Sequence, residues 1–177
     1  MIQISRGHYL ASLLLGAAFG FAASLFESTQ IIPLLPYFIF NNFQSNVYTL
    51  MVAVFLAPFT EEIAKILPVF FLKTQENIEL DVVGWMKLGI TSALGFSLLE
   101  NFSYFVLFST FYQIYAAIWY LLLRFMLSTP LHLMATTVAS YGIGNWDNYG
   151  EGKYLAFLAI AMVIHSLFNF GTMILEF

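Results

Sequence analysis

Five apolar stretches, each long enough to cross a bilayer as a helix, constrain this chain more than anything else in it. They run from Tyr9 to Phe26, Val47 to Leu72, Val82 to Phe108, Ile114 to Ile143 and Tyr154 to Leu175; about 20 apolar helical residues cover a ~30 Å hydrocarbon core. With 60 % apolar and only 9 % charged residues, the chain lacks the polar surface of a soluble domain, where about a quarter of residues are charged. The expected fold is all-α: one integral membrane domain over residues 1–177, a polytopic bundle of about five spans. Ile31 to Phe40, with Pro33 and Pro36, is too short to span and reads as a re-entrant or interfacial segment. Pro130 predicts a kink in the fourth stretch, or its division into two helices. Arg6 ahead of the first stretch resembles the start of a signal peptide. The apolar run is longer than the ~7–15 residues of such a leader, so it reads as a retained helix.

The few charges narrow the function. Lys and Arg number 6 against 10 Asp and Glu, and no basic stripe offers a nucleic-acid surface. The absence of cysteine excludes a disulfide framework, a thiolate zinc site and a Cys nucleophile. Arg6, Lys73, Lys87 and Lys153 fall on one side of a five-span chain, which predicts a cytoplasmic N-terminus in a cell membrane. Five charges remain inside spans: Glu61, Glu62, Lys65, Glu100 and Arg124. Unpaired, they would cost on the order of 12–17 kcal/mol to insert.

Spacing suggests where these groups go. At 1.5 Å per residue, Glu61, Glu62, His132 and His165 all fall roughly 15–18 Å from the cytoplasmic end of their spans. Glu100 joins them if its span enters the membrane after Lys87. Lys65 lies three and four residues after the paired carboxylates, so it can neutralise either from within its own helix. Arg124, Ser128, His132 and Thr136 form a polar stripe on the fourth span, and His165 and Asn169 share a face of the fifth. Gly89, Ser92, Ala93 and Gly95 supply small residues for close helix packing in the third.

Three carboxylates and two imidazoles around one wet pocket suit general acid–base chemistry. An ionised carboxylate takes a proton from water, a protonated neighbour feeds the leaving amine, and His165 with Asn169 offers N–H donors to an oxyanion. Such an assembly hydrolyses an amide with no cofactor. The same Glu61, Glu62, Glu100, His132 and His165 are also ligands that a zinc ion accepts, which leaves a metal-dependent membrane hydrolase open. A proton-coupled transporter or channel uses similar residues at similar depth. No Gly-rich phosphate loop, His-Glu-x-x-His helix or Gly-x-Ser-x-Gly elbow is present.

The segment Ala57-Pro58-Phe59-Thr60-Glu61-Glu62-Ile63-Ala64-Lys65 resembles the Glu-Glu-x-x-Lys motif of the PrsW-type intramembrane glutamate proteases, within the superfamily of CAAX prenyl endopeptidases. Gly95-Phe96-Ser97-Leu98-Leu99-Glu100-Asn101 is similar to the family's second motif, and Arg124 with His132, then His165 through Asn169, to the remaining blocks. The resemblance implies a helical membrane bundle that hydrolyses a peptide bond in a membrane-associated protein, an anti-sigma factor in PrsW itself. By carry-over, Glu61 and Glu62 would activate water, and His165 and Asn169 would polarise the scissile carbonyl. Glu100 would stand where the prenyl proteases have His, with His132 completing the catalytic set and Lys65, Asn101 and Arg124 in support. Lys65 and Glu100 replace an Arg and a His of the prenyl enzymes, which argues against a prenylated-Cys substrate.

Overall fold

The computed structural model describes residues 4–31, 47–48, 50–76, 78, 80–150 and 152–174. Among them are five α-helices and no strand: α1 (Arg6–Ile31), α2 (Ala57–Glu76), α3 (Val82–Phe111), α4 (Ile114–Tyr149) and α5 (Tyr154–Ile174). The segment expected to be re-entrant lies, beyond Ile31, outside the described residues. A π-helical turn, Val52–Leu56, leads directly into α2.

Four helices, α1, α3, α4 and α5, are long and apolar enough to cross a membrane. The remaining expected span, Val47 to Leu72, differs in composition. Its helix α2 carries Glu61, Glu62 and Lys65 within one turn, too many charges for an apolar span. It packs against all four other helices and keeps Phe59, Leu67 and Phe71 exposed, with its charged side chains turned inward. There Glu62, Lys65 and Val69 are fully buried beside Ala64, Ile66 and Leu72.

Local chemistry explains where the helices start and stop. The Asp81 carboxylate accepts a hydrogen bond from the Gly84 amide (2.6 Å) and caps α3, satisfying an amide that the first turn leaves unpaired. Tyr112 and Gln113 are extended, so α4 turns back immediately beside α3. The fourth stretch is one 36-residue helix running through Pro130, not two. Within a membrane bundle, neighbouring helices compensate for the backbone bond that proline removes. Gly150, at φ 68°, ends it in the left-handed conformation that glycine adopts without strain.

The small residues of α3 set its distance from two neighbours. A Cβ on Gly95 would sit 1.9 Å from the Leu13 carbonyl oxygen of α1, and one on Gly89 would sit 1.9 Å from Ser140 Oγ of α4. The Ser12 hydroxyl donates to the Leu88 carbonyl (2.8 Å) along the same α1–α3 seam. At one end of the bundle Lys73 pairs with Asp147, which also accepts from Trp85 Nε1 (3.1 Å). The starts of α1, α3 and α5 and the ends of α2 and α4 gather there, with Arg6, Lys87 and Lys153 among them.

Candidate active site

The charged residues of α2 meet their partners in the middle of the bundle. Lys65 Nζ donates to Glu62 Oε1 (2.8 Å), Glu61 Oε2 (3.3 Å) and His132 Nδ1 of α4 (2.6 Å). It also lies 4.5 Å from the centre of the Phe96 ring. An ammonium that donates to Nδ1 leaves the imidazole proton on Nε2. That nitrogen is 3.1 Å from Ser128 Oγ and 2.9 Å from Glu100 Oε2, the latter contact not aligned as a hydrogen bond. Glu100 is held in turn by Arg124 Nη2 (2.9 Å). Arg124 also donates from Nε to Asn101 Oδ1 (2.9 Å), and Asn101 donates to Thr129 (2.9 Å). The chain of contacts therefore runs from α2 across α4 to α3 without a gap.

His165 of α5 closes the group. Its Nδ1 is 3.0 Å from Glu62 Oε1 and its Nε2 is 3.7 Å from Glu61 Oε2. Glu62 accepts from Thr136 as well (3.1 Å), so this fully buried carboxylate is saturated by Lys65, His165 and Thr136. Glu61 is different. It lines a cavity of about 910 Å³ together with Glu100, Arg124, His132, His165 and Asn169. From that level the cavity extends toward Phe108, Tyr120 and Met173, at the end of the bundle away from Lys73. Glu62 is not on its wall.

All nine site residues expected from the sequence thus lie in one connected network or on its cavity, with a difference at Asn169. Its side-chain amide donates to the Ala53 carbonyl in the π turn (2.8 Å), which commits one N–H and leaves the other for the cavity. Two participants were missed. The Ala53 carbonyl is presented by a π turn hidden in a continuous apolar run. Glu27, just beyond the first apolar stretch, lines the cavity and accepts a hydrogen bond from Thr60 Oγ1. A signal was present: Glu27 is the single acidic residue among the first sixty.

Two imidazoles and a carboxylate are a donor set of hydrolytic zinc, and Glu61, His132 and His165 place one ligand atom each within 4.8 Å of one another. The charge arrangement opposes a divalent ion there. Glu61 Oε2 and His132 Nδ1 are 3.8 Å apart, and Lys65 Nζ contacts both. An ion bonded to both would lie within about 3 Å of that ammonium, given metal–ligand bonds of ~2.1 Å. Even at an effective dielectric near 20, that repulsion is on the order of 10 kcal/mol. As arranged, the three donors do not fit a divalent ion.

A helical bundle with carboxylates and imidazoles buried at the meeting point of four helices, and four helices long and apolar enough to cross a membrane, defines the class: a polytopic membrane protein with a polar centre. The chain matches the PrsW family of intramembrane metalloproteases over residues 5–177 and belongs to that family. It is, at that level, an intramembrane protease. No curated protein and no solved structure matches it.

Proposed function

We propose that this protease hydrolyses a peptide bond of a membrane-inserted polypeptide with water activated by Glu61, and that Lys65 is its resident cation. The observation that carries the reading is the asymmetry of the adjacent carboxylates: Glu61 faces the cavity and Glu62 is saturated behind it. Glu62 accepts the Nδ1 proton of His165, so His165 Nε2 turns toward Glu61 and the cavity. A water held by Glu61 Oε2 and His165 Nε2 gives its proton to Glu61 as its oxygen attacks the scissile carbonyl. The uncommitted amide hydrogen of Asn169 then faces the developing oxyanion. Collapse of the tetrahedral intermediate returns the proton from Glu61 to the leaving amine, so no proton is gained or lost. Glu100 and Arg124 hold His132, and His132 holds the Lys65 ammonium against Glu61.

The test is cleavage of a membrane peptide by purified protein. Glu61→Gln and His165→Ala should abolish turnover while folding and expression persist; unchanged turnover in both would refute these roles.

The family description and the Glu61–His132–His165 group favour a second reading, in which a divalent ion replaces the Lys65 ammonium. Those three residues would hold it, and the ion would supply Lewis acidity to the bound water. Metal analysis of purified active protein separates the two. Our reading predicts no stoichiometric zinc and no loss of activity to a chelator. One zinc per chain, lost together with activity, would establish the other. The substrate reading stops at a membrane-inserted polypeptide, since nothing in the cavity marks an anti-sigma factor. The gathering of Arg6, Lys73, Lys87 and Lys153 at one end supports an N-terminus in the cytoplasm of a cell with this protein in its plasma membrane.

A further inference from the structure

Of the four carboxylates at the centre, three have cationic or imidazole partners and Glu27 has neither among the described residues. Glu61 and Glu62 share Lys65, and Glu100 has Arg124 and His132. Glu27, near the end of α1, lines the same cavity and is held by a hydroxyl, that of Thr60, next in sequence to Glu61. The sequence has no further Lys or Arg to bring. Of its six basic residues, Lys65 and Arg124 are already engaged. Lys73, Lys87 and Lys153 sit at the opposite end, and Arg6 begins α1, about 32 Å of helix away. No Lys or Arg occurs anywhere in residues 7–64, so the connection after α1 cannot supply one either. Four carboxylates, Glu27, Glu61, Glu62 and Glu100, thus stand against two basic side chains, Lys65 and Arg124. Inside a membrane that imbalance is costly, and the cavity beside it has room for a long side chain.

We propose that Glu27 is a specificity residue that receives the ammonium or guanidinium of a Lys or Arg side chain in the substrate, close to the bond that is cut. Tyr104, Phe108 and Tyr120 line the same cavity and suit the aliphatic stem of such a side chain. The selected substrate is then an apolar membrane segment carrying one basic residue. This proposal rests on the protease reading above, because it takes the cavity as the place where a polypeptide is held.

The experiment uses the purified full chain in liposomes and synthetic transmembrane peptides that are identical apart from one scanned position, occupied by Lys, norleucine or Glu. Binding is read by fluorescence anisotropy and cleavage by product formation. The Lys peptide should be favoured over the norleucine peptide about tenfold to a hundredfold at one position, as expected for one charge-assisted hydrogen bond. In Glu27→Gln, which keeps the shape and an acceptor for Thr60, the ratio should fall to near one. In Glu27→Lys the preference should pass to the Glu peptide. Equal handling of Lys and norleucine at every position, or a Lys preference that survives in Glu27→Gln, would overturn the proposal. So would neutralisation by protons or by added zinc alone, seen as peptide affinities that ignore the residue at every position. If the wild type binds but cuts none of the peptides, the protease reading fails, and the affinity ratios still decide the role of Glu27.

Discussion

Glu61 and Glu62 are neighbours in sequence, yet a helix turns consecutive side chains about 100° apart, and their surroundings diverge accordingly. Glu62 takes three donors with no exposure, while Glu61 reaches the cavity. Their substitutions should therefore separate. Glu62→Gln leaves Lys65 buried without its nearest counter-charge and should cost about 3–5 kcal/mol, read as a lowered unfolding midpoint of the protein in detergent, along with lost activity. Glu61→Gln should leave that midpoint within a few degrees of wild type and remove the activity. Equal destabilisation by both would mean that the two carboxylates are structurally equivalent, contrary to the geometry. The presence of this group was legible in the sequence because charge inside an apolar run is expensive and stands out. Which carboxylate faces the cavity was not legible, since that depends on the rotation of α2 among four neighbours. Glu27 escaped for a related reason: at the edge of an apolar run a carboxylate ordinarily meets water at no cost, and only the packing of α1 against α2 brings it to the cavity.

At the scale of helices, the small residues of α3 have a measurable consequence. Gly95 touches the backbone of α1, where no rotamer change can make room. Gly95→Val should push α1 away from α3 and lower the fraction of protein recovered folded from membranes, whereas Ser103→Ala, on the exposed part of the same helix, should not. Wild-type recovery of Gly95→Val would show that the seam tolerates a side chain. The apolar stretches predicted α1, α3 and α5 closely because each is bounded by polar residues or a cap such as Asp81. Two features were beyond reach. The π turn Val52–Leu56 lies in an unbroken apolar run with no local mark. The continuity of α4 through Pro130 depends on the helices packed around it. The charges of α2 mark the part of it that its neighbours cover, while Phe59, Leu67 and Phe71 stay exposed elsewhere on the same helix.

For the whole molecule, the account places the basic end of the bundle and the cavity's far end on opposite sides of the membrane. The chain contains no cysteine, so single-cysteine variants report position without background. Lys153→Cys should react with a membrane-impermeant maleimide only after cells are opened, and Gln113→Cys, in the turn between α3 and α4, should react in intact cells. The reverse pattern would invert the topology and leave the site chemistry unaffected. The claim on which the rest depends is that Glu61 activates the attacking water. It is tested most directly by the rate at which purified wild type and Glu61→Gln, each in liposomes, cut the same transmembrane peptide. The account predicts measurable turnover for wild type and a loss of about 10²–10⁴-fold, the usual contribution of a general base, for Glu61→Gln. Cleavage by Glu61→Gln at the wild-type rate would contradict it.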